Sequence, residues 1–149
     1  MSVAEHPQSN HTTVLTPGGV LPLTELALQI APLPAAEVRS GTPGAGSLAV
    51  DAGPGLDIGV WEMTAGTAVD VEVDECFLVL TGRATVTVLP DTDGGSPRVM
   101  ELAPGVLGRL SAGMRTEWVV HENLRKLYLM PLTTASAAPE APAAGVTVR

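Results

Sequence analysis

The stretch from Gly59 to Val88 constrains the fold most strongly, because apolar and polar residues alternate through much of it. The segment Val69-Asp70-Val71-Glu72-Val73 has the period of two that is typical of a β-strand with one buried face. Glu75 then precedes a nearly continuous apolar run from Cys76 to Leu80. We interpret the stretch as three consecutive strands with a tight turn at Thr81-Gly82, and we expect the carboxylate of Glu75 to face the interior.

The rest of the chain reads as short strands separated by turns. Hydrophobic residues make up 45% of the 149 residues, and glycine (16) and proline (13) are frequent, which favours strands with many turns over a helical bundle. This spacing predicts an antiparallel barrel or sandwich with a hairpin loop over 90–97. Further strands are predicted over 37–39, 47–51, 57–64, 68–73, 75–80, 83–89, 98–102, 106–110, 116–120 and 124–132.

Both ends of the chain have compositions that are unsuited to a core. Residues 1–19 are polar and end in Pro17-Gly18-Gly19, which predicts a mobile arm. Residues 133–149 are rich in alanine, proline and threonine, which predicts a disordered tail. The folded domain is therefore predicted over 20–132. Within it, Leu21 to Ile30 could be a short helix or an edge strand.

The net charge argues against several classes of partner, and the cysteine count excludes two kinds of cross-link. The formal net charge of −8 and the absence of a basic patch argue against nucleic acid or an anionic membrane as a partner. The single cysteine, Cys76, excludes an internal disulfide and a cysteine zinc cluster. The sequence shows neither a signal-peptide pattern nor an apolar run of membrane-spanning length. We therefore expect a cytoplasmic protein.

Two groups of turn residues give the central block a family resemblance. Glu75 is followed after six residues by Gly82, and Gly105 is followed after five residues by Ser111-Ala112-Gly113. These spacings resemble the two sequence motifs of the cupins. The segments GVWE, DECFLVLTGRATVT, SAGMRTEW and LRKLY are similar to cupins related to ureidoglycine aminohydrolase. The resemblance implies an all-β, cupin-type jelly-roll barrel, although this fold hosts many chemistries.

The chain lacks the histidines that cupins place in these motifs. The two positions of the first motif fall on Ala68 and Asp70, or on Val69 and Val71 if the spacing is one residue shorter, and the position of the second motif falls on Thr116. Transition metals in such sites are held by several converging imidazoles. The sequence therefore predicts neither a metal site nor a cofactor.

Four carboxylates lie close together in the central block, and they can be interpreted in two ways. Asp70, Glu72, Asp74 and Glu75 could form a cluster for a hard cation or for general-base chemistry. Alternatively, the first three line a solvated strand face and Glu75 alone points inward. We favour the second interpretation, with Glu75 held by a buried partner such as Lys126 or Tyr128.

Lys126 and Tyr128 lie two residues apart on one strand and therefore share a face. If this face lines the barrel, Lys126 could neutralise the carboxylate of a small ligand, or it could form an internal ion pair with Glu75. Both alternatives stay open. The candidate catalytic residues are Glu75 and Lys126, and the candidate ligand-binding residues are Trp61, Phe77, Trp118, Lys126 and Tyr128.

Three functions follow from these residues and from the resemblance. The leading hypothesis is a barrel that binds a small, polar, carboxylate-bearing metabolite without a metal. The second is an enzyme similar to ureidoglycine aminohydrolase, or to a lyase or isomerase, that acts on a small ureido or amino acid. The third is a non-catalytic structural or regulatory dimer. The resemblance also implies a homodimer in which Leu21 to Arg39 is exchanged between subunits.

Overall fold

The computed structural model describes residues 12–132, and nearly all regular structure in this part of the chain is β-strand. This confirms the predicted all-β fold. No helix among these residues is both long enough and apolar enough to cross a membrane. The elements are β1 (Thr12–Val14), a 3-10 helix (Leu23–Glu25), β2 (Ala31–Pro32), β3 (Val38–Ser40), β4 (Gly44–Asp51), β5 (Asp57–Met63), β6 (Gly66–Val71), β7 (Glu75–Val88), β8 (Arg98–Leu102), β9 (Leu107–Leu110) and β10 (Arg115–Met130).

Strand β10 lies at the centre of a single curled sheet. One of its edges pairs with the long strand β7, and its other edge pairs with β6 in its first half and with β5 in its second half. Strand β7 in turn pairs with β8 and β9, so β7 and β10 are shared by both ends of the barrel. Alternate side chains of these two strands therefore line one interior.

The predicted turn at Thr81-Gly82 is wrong, because β7 continues through it from Glu75 to Val88. The register between β7 and β10 shifts around Gly82, whose φ is 92°, and a Cβ there would collide with the carbonyl oxygen of Asn123. This is a β-bulge that bends both strands. The strands predicted over 116–120 and 124–132 are likewise one strand, β10, bent at the same place.

Part of the predicted N-terminal arm is attached to the sheet. Thr12–Val14 pairs in parallel with the end of β4, and the backbone N–H of Leu15 donates to the carbonyl of Asp51 at 2.8 Å. The prediction of a mobile arm is therefore wrong for residues 12–14, because the edge of β4 offers backbone groups that a strand can satisfy. Residues 1–11 and the predicted tail over 133–149 lie outside the described residues.

The segment after the arm is tied to the outer face of β10. It contains only one turn of 3-10 helix, Leu23–Glu25, and the guanidinium of Arg125 donates to the carbonyls of Leu23 and Leu26, both at 2.8 Å. The next residues, Ala31–Pro32, pair with β4. Exchange of this segment between two subunits stays a prediction.

The interior is mostly apolar and contains every aromatic residue of the chain. The sequence has two tryptophans, one phenylalanine and one tyrosine, and all four are buried. Aliphatic residues from β4 to β10 complete this core around them. Because aromatic side chains bury the largest areas, this concentration marks one small region as the centre of the barrel.

Candidate functional site

Lys126 and Glu75 form an ion pair inside the barrel. Lys126 Nζ lies 2.6 Å from Glu75 Oε2, and both side chains are 0% exposed. Glu75 begins β7 and Lys126 lies in the second half of β10, and strand alternation turns both side chains to the same interior. The prediction that Glu75 points inward is therefore confirmed, and Lys126 is its partner.

Three aromatic rings surround the ammonium of Lys126. The distances from Nζ to the ring centroids are 4.7 Å for Trp61, 4.6 Å for Phe77 and 4.9 Å for Trp118. Such contacts contribute about 2 kcal/mol when the cation is desolvated. The rings also pack on one another, with centroids 5.8 Å apart for the two tryptophans. We call these three rings the aromatic cage, and its members are all predicted ligand-binding residues.

Two glycines make room for the interior rings. Phe77 pairs in register with Gly108, and a Cβ at Gly108 would collide with the Phe77 ring. Tyr128 pairs in register with Gly59, and a Cβ there would collide with the phenol oxygen. Sequence reasoning did not assign either glycine, although a glycine opposite an aromatic residue on a neighbouring strand is the signal of such a close approach.

Tyr128 borders the same interior but projects towards β5. Burial raises the pKa of its phenol to about 12, and the negative charges of Asp57 and Glu75 act in the same direction. The phenol therefore keeps its proton at neutral pH. All six predicted site residues thus lie in one region, with Lys126 at its centre and Tyr128 at its side.

Glu72 belongs to the interior, so the prediction that it faces water is wrong. It is 2% exposed, and its Oε1 accepts hydrogen bonds from Thr116 Oγ1 at 2.6 Å and from Trp118 Nε1 at 2.9 Å. Burial raises the pKa of Glu72, whereas these two hydrogen bonds and the charge of Lys126 lower it. Glu72 is the buried carboxylate beside the aromatic cage that sequence reasoning missed.

The two other carboxylates of this segment have different surroundings. Asp70 is half-buried, and burial, together with the charge of Glu72, raises the pKa of its carboxyl to about 6. Asp74 is exposed, as predicted, and accepts a hydrogen bond from the backbone N–H of Ala112 at 2.9 Å. The carboxylates therefore do not form one solvated face.

The residues present do not fit the transition-metal site that the cupin fold implies. Glu75 is the motif carboxylate, and the ammonium of Lys126 occupies the position beside it where a cation would bind. At the position of the second motif, Thr116 donates its hydroxyl to Glu72. Among residues 12–132, no group of three or more His, Cys, Asp or Glu side chains could hold a metal ion.

Two clefts approach the interior from outside. One, of about 490 Å³, is lined by Glu75, Asp74 and Arg109. The other, of about 390 Å³, lies where β3, β6 and β10 meet and is lined by Arg115 and Thr116, among others. The ion pair itself is fully covered, so a ligand reaches it only if side chains next to one of these clefts move.

A family model decides the wider assignment of this barrel. The model of the EutQ-like cupin domain matches residues 53–128, just over half of the 149 residues. This chain belongs to the EutQ-like cupin family. The matched region of the EutQ-like cupin includes the whole aromatic cage, Trp61, Phe77 and Trp118, and both members of the ion pair.

Solved structures resemble the barrel at low sequence identity. A protein of unknown function from Pseudomonas syringae, assigned to the DUF861 family, is 21% identical over 70% of this chain and 44% of its own, with a TM-score of 0.55. The EutQ protein of Clostridium difficile is 20% identical over 62% of this chain and 71% of its own, with a TM-score of 0.49. No curated protein matches this chain significantly. The Pseudomonas protein supports the fold and carries no information on activity.

Proposed function

We propose that the barrel binds a small, polar metabolite that carries both a carboxylate and a hydrogen-bond donor, such as an amino or ureido acid. The observation that carries this proposal is a buried donor, Trp61 Nε1, that meets no acceptor among the described residues. It lies beside Lys126, whose ammonium has three N–H groups and one nearby carboxylate oxygen. A ligand carboxylate could accept hydrogen bonds from both.

The ion pair is also incomplete as a hydrogen-bonded unit. Nζ and Oε2 are 2.6 Å apart, whereas Glu75 Oε1 has no donor among residues 12–132. A buried polar group without a partner costs about 1–3 kcal/mol of stability. Groups that remain unsatisfied at such a cost are typical of binding or catalytic sites.

The unsatisfied donors and acceptors of the site indicate which groups the proposed ligand carries. Lys126 and Trp61 offer donors to an anionic end, and Glu75 offers an acceptor to an N–H or ammonium end. The rings of the cage offer an apolar wall between them. An amino or ureido acid has both ends on a short skeleton, as would the ligand implied by the resemblance to ureidoglycine aminohydrolase-type cupins.

The experiment is a thermal-shift and calorimetric screen of amino acids, ureido acids and simple carboxylates, each beside its neutral amide. We expect carboxylates to stabilise the protein and their amides not to do so. In the double variant Glu75→Leu/Lys126→Met, which removes both charges of the ion pair, this stabilisation should be lost. Equal stabilisation of this variant and the wild type would contradict the proposal.

A matched pair of variants tests the role of the indole N–H. Trp61→Phe removes the donor without an acceptor, so it should weaken ligand binding about tenfold, the equivalent of one hydrogen bond of about 1.4 kcal/mol. Trp118→Phe removes the same group where it is bonded to Glu72, so it should lower stability more and binding less. The reverse pattern would exclude Trp61 Nε1 from ligand recognition.

A catalytic role is the second candidate, because Glu75 and Lys126 are close enough to exchange a proton. In such an enzyme Lys126 would neutralise the carboxylate of a ureido or amino acid and Glu75 would move the proton. The test is to incubate each ligand found in the screen with the protein and to follow the ligand by NMR. Conversion by the wild type that is abolished in Glu75→Gln would support catalysis. A ligand that stays unchanged would support binding without catalysis.

The fully covered interior also favours the third hypothesis, a filled barrel in a structural or regulatory dimer. That function requires no ligand. A screen in which no small molecule changes the melting temperature, together with a dimeric mass in solution, would therefore favour it over binding.

A further inference from the structure

A series of side-chain contacts connects the cleft between β3, β6 and β10 to the aromatic cage. The floor of the cleft includes Thr116, whose hydroxyl donates to Glu72 at 2.6 Å. Glu72 also accepts the indole N–H of Trp118 at 2.9 Å, and the Trp118 ring lies 4.9 Å from Lys126 Nζ. Three successive contacts therefore connect this cleft to the ammonium group.

Two arginines at this cleft are held in place by backbone carbonyls. Arg39 Nη1 donates to the carbonyl of Ala36 at 2.9 Å, and Arg115 Nη2 donates to the carbonyl of Pro90 at 2.7 Å. Within residues 12–132, neither guanidinium forms an ion pair with a carboxylate, whereas two other arginines do. In a protein with a net charge of −8, two fixed guanidiniums with remaining N–H donors at one cleft are suited to an anion.

The other cleft is less suited to an anion. It is lined by one arginine, Arg109, and by two carboxylates, Asp74 and Glu75. The cleft at Arg115 has two arginines against Glu37 and Asp70. Among the lining residues, the cleft with Arg39 and Arg115 therefore presents the larger number of guanidiniums to a negatively charged ligand.

We infer that this cleft is the entrance of the ligand site and that Arg39 and Arg115 bind the carboxylate of the incoming ligand. The inference rests on the proposed function, since it assigns the route and the first contact of the same carboxylate-bearing ligand. In this assignment, displacement of Thr116 and Trp118 by the ligand opens the path to Lys126.

The charge of the entrance changes with pH. Among residues 12–132, the charged or titratable groups at this cleft around Asp70 include Glu37 and Arg39 beside β6, Arg115 on β10, and the buried Glu72. Because the pKa of Asp70 is raised to about 6, its carboxyl is largely neutral at lower pH and negative at higher pH. Binding of an anion should therefore strengthen as the pH falls through this value.

The test is an NMR titration of the full chain with succinate, with succinamide as the neutral control, at about pH 5 and about pH 8. The Nε–H of Arg115 and the amide of Thr116 report on the entrance, and the indole N–H of Trp61 reports on the interior. We expect all three resonances to shift with succinate, more strongly at the lower pH when the two titrations are compared at equal concentrations of the succinate dianion. Succinamide should shift none of them.

Variants distinguish the two arginines at the entrance from an arginine elsewhere on the surface. Arg39→Gln and Arg115→Gln should each slow succinate association about threefold to tenfold and reduce its dependence on salt. Arg98→Gln is the matched control, because Arg98 is exposed on β8 and does not line this cleft. It should leave association unchanged.

The outcomes distinguish the two proposals. A shift of the Trp61 resonance without a shift at Arg115 and Thr116 overturns the entrance and leaves the binding function intact. A shift at Arg115 and Thr116 alone supports the entrance and contradicts the interior site. No shift at any of the three, or an equal effect of Arg98→Gln, overturns the inference.

Discussion

Two neighbouring cations on β10, Arg125 and Lys126, occupy opposite faces of the sheet and have very different partners. Arg125 donates to Glu62 at 2.7 Å and to two backbone carbonyls at 2.8 Å, and it anchors the segment around Leu23 on the outer face. Lys126 faces inward and has one carboxylate oxygen and three rings. The satisfied donors of Arg125 indicate a structural role, whereas the unsatisfied N–H groups of Lys126 agree with the proposed binding of a ligand.

The largest effect is expected when the interior pair is broken on one side. Glu75→Leu or Lys126→Met alone leaves a buried charge without its partner and should lower the free energy of unfolding by about 3–5 kcal/mol. The double variant removes both charges and should lie within about 2 kcal/mol of the wild type. Urea denaturation measures all three. Losses that simply add in the double variant would mean that the pair is not coupled.

The next largest loss of stability is expected at the β-bulge around Gly82. Gly82→Ala forces a side chain onto a backbone with φ of 92° and into the carbonyl of Asn123, and should cost at least about 2 kcal/mol. Gly94→Ala is the matched control, since Gly94 has φ of 86° with no neighbouring atom within 4 Å. It should cost about 1 kcal/mol. Equal melting temperatures of the two variants would show that the bulge tolerates a side chain.

A smaller loss is expected on the outer face. Arg125→Met removes the partner of Glu62 and two donors to backbone carbonyls, and should cost about 2 kcal/mol. Adding Glu62→Leu should recover little of this, because the carbonyls of Leu23 and Leu26 still lack their donor. Hydrogen exchange around residues 23–26 should accelerate in both variants. Full recovery of stability in the double variant would contradict the proposed difference between Arg125 and Lys126.

The smallest effect concerns Asp70, and its sign depends on pH. Its pKa is about 6 in the folded protein and 3.8 in its reference state, so the folded protein favours the neutral acid. The corresponding stability is present below about pH 4 and is lost as the pH rises through about 6. Asp70→Asn should therefore raise stability at about pH 8 by up to about 1 kcal/mol and have little effect at about pH 4. Thermal melts at both values check this, and an equal change at both would contradict it.

The interior side of β7 and β10 could be predicted from the sequence, because alternation fixes which side chains share a face. Glu75 and Phe77 on one strand, and Lys126 and Tyr128 on the other, follow this rule and are buried. The prediction of a turn at Thr81-Gly82 was wrong because a glycine with positive φ suits a hairpin turn and a β-bulge equally well. Sequence alone does not distinguish the two.

Glu72 was missed because the valines of its segment were taken as the buried face. In the structure Ala68 and Glu72 are buried and Val71 is 54% exposed. A carboxylate can replace an apolar residue inside the barrel only because Thr116 and Trp118, on the neighbouring strand, supply hydrogen bonds. That compensation depends on the register between β6 and β10, which a local pattern does not contain.

The placement of both tryptophans in the cage also has an optical consequence. These two indoles are the only ones in the chain, and each is fully covered by protein. Intrinsic fluorescence excited at the indole band therefore originates from the centre of the barrel and from nowhere on the surface. Tryptophan emission should therefore change when a molecule enters the barrel and stay unchanged when a molecule binds only to the outer surface.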